Sequence, residues 1–167
     1  MQKERSAVGG NAAAHLEPLV KRRERAPKSK ERARVSARQH VDARAEDAYL
    51  RGLYELREAI GERFGQAIKY FQQAVSRDPN YALAYASLSD AYYAQSGSRR
   101  APLEVMPQAK AAALKAIQLA DTLAEAHASM SYVKLFFEWD WPGAENEFRR
   151  ALDLNSNLPK ARERRLP

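Results

Sequence analysis

Residues 78–93 read DPNYALAYASLSDAYY. A proline, normally hostile to helices, stands just before a run of Ala, Ser, Leu and Tyr in which Asp90 is the one charge. A second stretch, DTLAEAHASMSYVKL at 121–135, follows the same plan. Laid over each other, Ala82, Ala84, Ala86, Ser87 and Ser89 meet Ala124, Ala126, Ala128, Ser129 and Ser131, and Leu88 meets Met130. Self-similarity of this kind dictates architecture, so it is the first thing to settle.

The segments that follow these two stretches repeat as well. QAIKYFQQAVSRDP (66–79), QAKAAALKAIQLAD (108–121) and GAENEFRRALDLNS (143–156) align without a gap. Ala67, Ala109 and Ala144 share one position. Phe71, Ala113 and Phe148 share the next, and Ala74, Ala116 and Ala151 the third. Pro79, Asp121 and Ser156 close the three units. Apolar residues recur at spacings of three and four from Ala45 onward, the mark of amphipathic helices. The spacing predicts helices near 44–58, 64–77, 81–95, 103–119, 123–137 and 141–153, divided by Gly61, Asp78-Pro79, Ser96-Gly97-Ser98, Pro102, Asp121-Thr122 and Asn155-Ser156-Asn157. Tyr, Phe and Val sit on the helical period, not in alternation, so no strand is expected.

The pattern resembles the tetratricopeptide repeat, a helix–turn–helix unit of about 34 residues. The resemblance covers residues 45–158, with units at 45–79, 80–121 and 122–156, and implies an all-α fold, a short solenoid of about three repeats. Packing accounts for the pattern: where two helices cross closely only a small side chain fits, hence alanine at 67, 109 and 144. Pro79 ends a repeat, where its missing N–H harms no helix. The departures are a longer first turn (AIGERFG), the insertion QSGSRRAPLEVMP, and a tryptophan-rich turn, EWDWPG. With the phrase at 78–93 they resemble arrays that follow winged-helix or protein-kinase domains in bacterial signalling and transcription-regulating proteins. A further unit starts at Pro159 and stops within LPKARERRLP, so the chain is expected to be a piece, or a truncated relative, of a longer array.

The formal net charge of +7 belongs to one end. Residues 1–44 hold 12 Lys and Arg against 5 Asp and Glu, whereas residues 45–167 hold 16 of each. Residues 1–44, Gly-, Ala- and Pro-rich in their first thirty or so positions, are expected to be a mostly disordered basic tail, part of which extends the first helix. Lys21, Arg22, Arg23, Arg25, Lys28 and Lys30 are its candidate anion-binding residues, and Arg32 and Arg34 continue the run. They make a nucleic-acid-associated protein the alternative reading. The tail has no aromatic residue, so only non-specific phosphate attraction is on offer. With no cysteine there is neither a disulfide nor a thiolate metal site. No apolar run is long enough for a membrane span, and no signal peptide is visible. A cytoplasmic location is expected.

Catalysis finds no support. His15, His40 and His127 share no metal-ligand spacing, and His127 falls where repeats place a packing residue. Glu145 and Glu147 point to different sides of a helix and are expected to be solvated. No enzyme activity, metal, cofactor or small-molecule substrate is expected. The family resemblance instead implies a concave groove for a protein or peptide partner, lined by the first helix of each unit. Its candidates are Tyr49, Leu53 and Leu56, then Leu83, Ala86, Asp90 and Tyr93, then Glu125, Ala128, Tyr132 and Leu135. The groove lacks the Lys and Asn set with which some relatives clamp a C-terminal carboxylate, so a chaperone-tail receptor is not expected. Trp139 and Trp141 are expected to cover the corner between two helices, with Asp140 capping the second.

Overall fold

The repeated positions become helices that pack in successive pairs. A computed structural model describes residues 41–58, 63–96 and 101–158. Within them run α1 (Ala43–Arg57), α2 (Arg63–Arg77), α3 (Ala82–Ser96), α4 (Pro102–Leu119), α5 (Ala124–Val133, continued by π-helical Lys134–Glu138) and α6 (Trp141–Leu154). No strand occurs among the described residues. The basic residues from Lys21 to Arg34, Gly61, Gly97, Ser98 and the segment after Leu158 lie outside the described residues.

Local signals set the helix ends. Asp42 caps α1, its Oδ1 accepting from the backbone N–H groups of Arg44 (2.8 Å) and Ala45 (3.1 Å). The first helix therefore begins inside the stretch assigned by sequence to the basic tail. α2 stops at Arg77, and the Asp78–Pro79 turn is closed by the Asn80 N–H donating to Asp78 Oδ1 at 3.0 Å. The LEVMP part of the insertion becomes the opening of α4, where Val105 and Met106 are fully buried.

α1 packs on α2, α3 on α4 and α5 on α6; α3 also meets α2 and α5, and α4 meets α5. Ala67, Ala109 and Ala144 are all buried, as are Phe71, Phe148, Ala74, Ala113, Ala116 and Ala151. Pro79 stays on the surface. α1 and α2 approach closely at Gly52 of α1, where a Cβ would lie 2.6 Å from Phe71 Cε1. Ala86, Ala116 and Ala126 meet where α3, α4 and α5 come together, a junction that larger side chains would wedge apart. Buried serines do not disturb this packing because their hydroxyls bond locally: Ser131 Oγ donates to the Ala128 carbonyl at 2.6 Å. Among the described residues no buried side-chain nitrogen or oxygen lacks a partner.

Candidate functional site

Side chains of α3 and α5 meet along a seam that carries the partly exposed polar and aromatic groups. Near one end, Ser129 Oγ lies 2.8 Å from Asp90 Oδ1, 2.9 Å from the Glu125 carbonyl and 3.3 Å from the Ala86 carbonyl, and its one proton serves these acceptors in turn. One turn further on, the rings of Tyr93 and Tyr132 lie 5.2 Å apart. Phe136 follows, 5.4 Å from Tyr93 and stacked on Tyr132 at 6.2 Å. Tyr132 also meets Phe148 of α6 edge-on at 5.5 Å, which anchors the row to the core. Tyr93 and Tyr132 are half-buried, while Phe136 is 39% exposed. The result is a fixed row of three rings, each held by its neighbours and partly open to a partner.

The eleven groove candidates divide by accessibility. Asp90, Tyr93, Glu125 and Tyr132 are half-buried, as are Leu53, Leu56 and Leu83. Tyr49, Ala86, Ala128 and Leu135 are buried. Tyr49 packs against Phe71 at 5.9 Å and Tyr81 at 5.1 Å, so its ring is occupied by the core of the first pair. These four offer a partner almost no side-chain surface. Phe136, by contrast, belongs to the aromatic row and was not among the candidates. Its signal was its spacing: it stands four residues after Tyr132, so a helix continued through 136 puts both on one face.

The EWDWPG turn departs from the expectation that its tryptophans pack: Trp139 is 71% exposed and Trp141 56%. The anchored residues are the acids between them. Glu138 pairs with Lys110 of α4, and Asp140 pairs with Lys134 at 3.1 Å while accepting the Gly143 N–H at 3.0 Å as the cap of α6. That cap holds the Asp140 carboxyl below the usual carboxylate range, with help from Lys134, and Asp140 in turn raises the Lys134 ammonium above its ordinary value. Trp139 has a positive φ of 56°, a left-handed conformation that is costly for a bulky side chain.

Two sequence expectations about α5 and α6 also need revision. Glu147 is not merely solvated, because its Oε2 lies 2.7 Å from His127 Nδ1. His127 Nε2 donates to the Asp121 carbonyl at 2.8 Å. His127 thus ties α5 to α6 and to the turn that follows α4, more than the space-filling role expected of it. Glu145 is exposed and pairs with Arg149 at 2.6 Å. Among the described residues no three His, Asp or Glu side chains gather as a metal ion would require, and no helix is long and apolar enough to cross a membrane.

Paired helices with small residues at their crossings define the helical-repeat class, and solved structures narrow it to the tetratricopeptide-repeat fold. The first such domain of Spaghetti (RPAP3), solved bound to the HSP90 peptide SRMEEVD, superposes with a TM-score of 0.58 at 17% identity over 75% of this chain and 90% of that one. The Arabidopsis OM64 domain gives 0.58 at 17% identity, covering 72% and 89%. The first domain of human RPAP3 gives 0.58 at 16%, covering 72% and 85%. At these identities the likeness is one of fold. No family model and no curated protein sequence matches the chain.

Proposed function

We propose that residues 45–158, divided into units at 45–79, 80–121 and 122–156, form a non-catalytic interaction module that seats a peptide segment of a partner protein along the α3–α5 seam. The observation that carries this reading is the row Tyr93–Tyr132–Phe136, rigidly packed yet partly open. Large rings of this kind offer contact area at little entropic cost and are over-represented among residues that dominate binding energy. The RPAP3 domain with its bound peptide supports peptide capture as a use of this fold. Asp90, Glu125, Leu53, Leu56 and Leu83 extend the proposed groove. By its sequence resemblance the chain is further proposed to come from a bacterial signalling or transcription-regulating protein and to work in the cytoplasm.

A photo-reactive phenylalanine analogue at position 136 tests the groove. It should crosslink a discrete partner in an extract of the source cell, whereas the same analogue at Leu103, which is 80% exposed on α4, should not. Crosslinking at 103 alone would reject the groove. The basic segment supports a second reading, a nucleic-acid-associated protein, through its 12 Lys and Arg within residues 1–44. DNA binding that weakens with salt and disappears on deletion of residues 1–40 is the expected result of that reading; equal binding by the deletion variant would end it.

A further inference from the structure

Away from the α3–α5 seam, we infer that the exposed face of α2 binds an acidic peptide segment in extended form. Residues 45–167 are balanced in charge overall, but the balance is not local. α2 holds Arg63, Lys69 and Arg77 and no aspartate or glutamate, whereas each of the other five helices carries at least one acid. Lys69, Gln72, Gln73, Ser76 and Arg77 line one open concavity on α2. Their spacings of three and four place them on a single helix face, and all five are exposed. Lys69 and Arg77 form no ion pair with a described residue. Lys69 has no acid within six residues on either side. Asp78, next to Arg77, is half-buried, and its Oδ1 accepts the Asn80 N–H at 3.0 Å in the turn. α1 and α3 pack against α2, and neither Glu46, Asp47, Glu55 and Glu58 on the α1 side nor Asp90 of α3 pairs with either cation.

The lining groups select the occupant by their chemistry. The lysine and arginine donate to carboxylates, while each glutamine amide both donates and accepts, as a peptide group does. A lone phosphate or carboxylate would leave the glutamine oxygens without a donor, whereas a peptide backbone supplies one. Gln72 is held in place by α3, its Nε2 donating to the Tyr92 hydroxyl at 2.9 Å, which leaves its side-chain oxygen as an acceptor. No aromatic ring lines the concavity, so nucleotide bases would find nothing to stack on. Lys69 and Arg77 are separated by about 12 Å along the helix axis. An extended chain rises about 3.3 Å per residue and turns alternate side chains to one side, so acids four positions apart, about 13 Å, meet both cations.

Amide NMR of the isotopically labelled full chain tests this, titrated with a synthetic peptide of Ser, Thr and Gly that carries two glutamates four positions apart. Shifts should concentrate on residues 69–77 and vanish when both glutamates of the peptide are exchanged for glutamine. Lys69→Gln and Arg77→Gln should each weaken binding by about threefold, and together by about tenfold, since the two stand too far apart to couple. Gln73→Ala should weaken it by about twofold, an effect that charge alone would not produce. Arg150→Gln removes an equal charge from an exposed position on α6 and should leave the affinity unchanged. Absence of shifts at 69–77, or an equal loss with Arg150→Gln, would overturn the site. Shifts at Tyr93 and Tyr132 instead would give the acidic peptide to the seam, overturning this inference while leaving the groove standing. A short DNA duplex that shifts residues 69–77 where the peptide does not would assign the face to nucleic acid and overturn it as well.

Discussion

Replacing Gly52 by alanine tests the packing that builds the array. The new Cβ would lie 2.6 Å from Phe71 Cε1, 2.7 Å from Cδ1 and 3.0 Å from Cζ. Carbon atoms settle at roughly 3.5–4.0 Å, so the overlap approaches an ångström at two atoms. The ring has little room to retreat, being fully buried with Tyr49 against it at 5.9 Å. Overpacking of this kind costs about 1–3 kcal/mol. Alanine in mid-helix returns up to about 1 kcal/mol relative to glycine. With the clash at the upper end of its range, the net destabilisation is about 2 kcal/mol. Urea unfolding followed by circular dichroism should show a lower midpoint with an unchanged slope. Shortening the ring partner should relieve the clash, so Gly52→Ala and Phe71→Leu should couple favourably by about 1 kcal/mol or more. A Gly52→Ala protein as stable as wild type, with no such coupling, would refute the claim that α1 and α2 are held at this separation by the absent side chain.

Three further outcomes follow from the last helix pair. Tryptophan emission should be red-shifted and readily quenched by iodide in the folded protein, as the exposures of 71% for Trp139 and 56% for Trp141 require; a blue-shifted, protected signal would return both to the corner between helices. Asp140→Asn should lower stability at neutral pH, and its gap to wild type should close as the medium is acidified below about pH 4. The sign follows from the depressed carboxyl: a group held below its unfolded value stabilises above that value and loses its contribution as pH falls through the folded one, so a gap that widened in acid would contradict the assigned cap and ion pair. Single and double replacement of His127 by alanine and Glu147 by glutamine should reveal a coupling of about 1–2 kcal/mol, and additive effects would mean that the 2.7 Å contact ties nothing together.

Most of the fold was legible because packing repeats. Ala67, Ala109 and Ala144 recur for one steric reason, and that reason acts identically in each pair. The small-residue run at 82–89 pointed correctly to a helix with close neighbours, since α3 touches α2, α4 and α5. The turn at 138–141 was misjudged because residue type alone suggested that its tryptophans would be inside. Alternate residues are pinned there by charge: Glu138 reaches Lys110, and Asp140 reaches Lys134 and the Gly143 N–H. That leaves Trp139 and Trp141 facing outward. The π-helical continuation of α5, closed by the Asp140 N–H donating to the Lys134 carbonyl at 3.0 Å, has no local sequence signature that periodicity could detect. The His127–Glu147 contact joins residues twenty apart on different helices and was equally invisible.

The positions that fail to repeat bear on function as much as those that do. In the register that pairs Ala86 with Ala128, Asp90 pairs with Tyr132 and Tyr93 with Leu135. Packing accounts for the phenol, which lies edge-on against Phe148, but not for the half-buried carboxylate at the matching position of the preceding unit. A surface that merely kept the array in water would gain nothing from stacking Tyr132 on Phe136 beside Tyr93, since exposed rings leave apolar area in contact with solvent. Such a row is useful when another chain covers it. The seam between α3 and α5 is where repetition gives way to individual chemistry, and that is the reason the groove is proposed there.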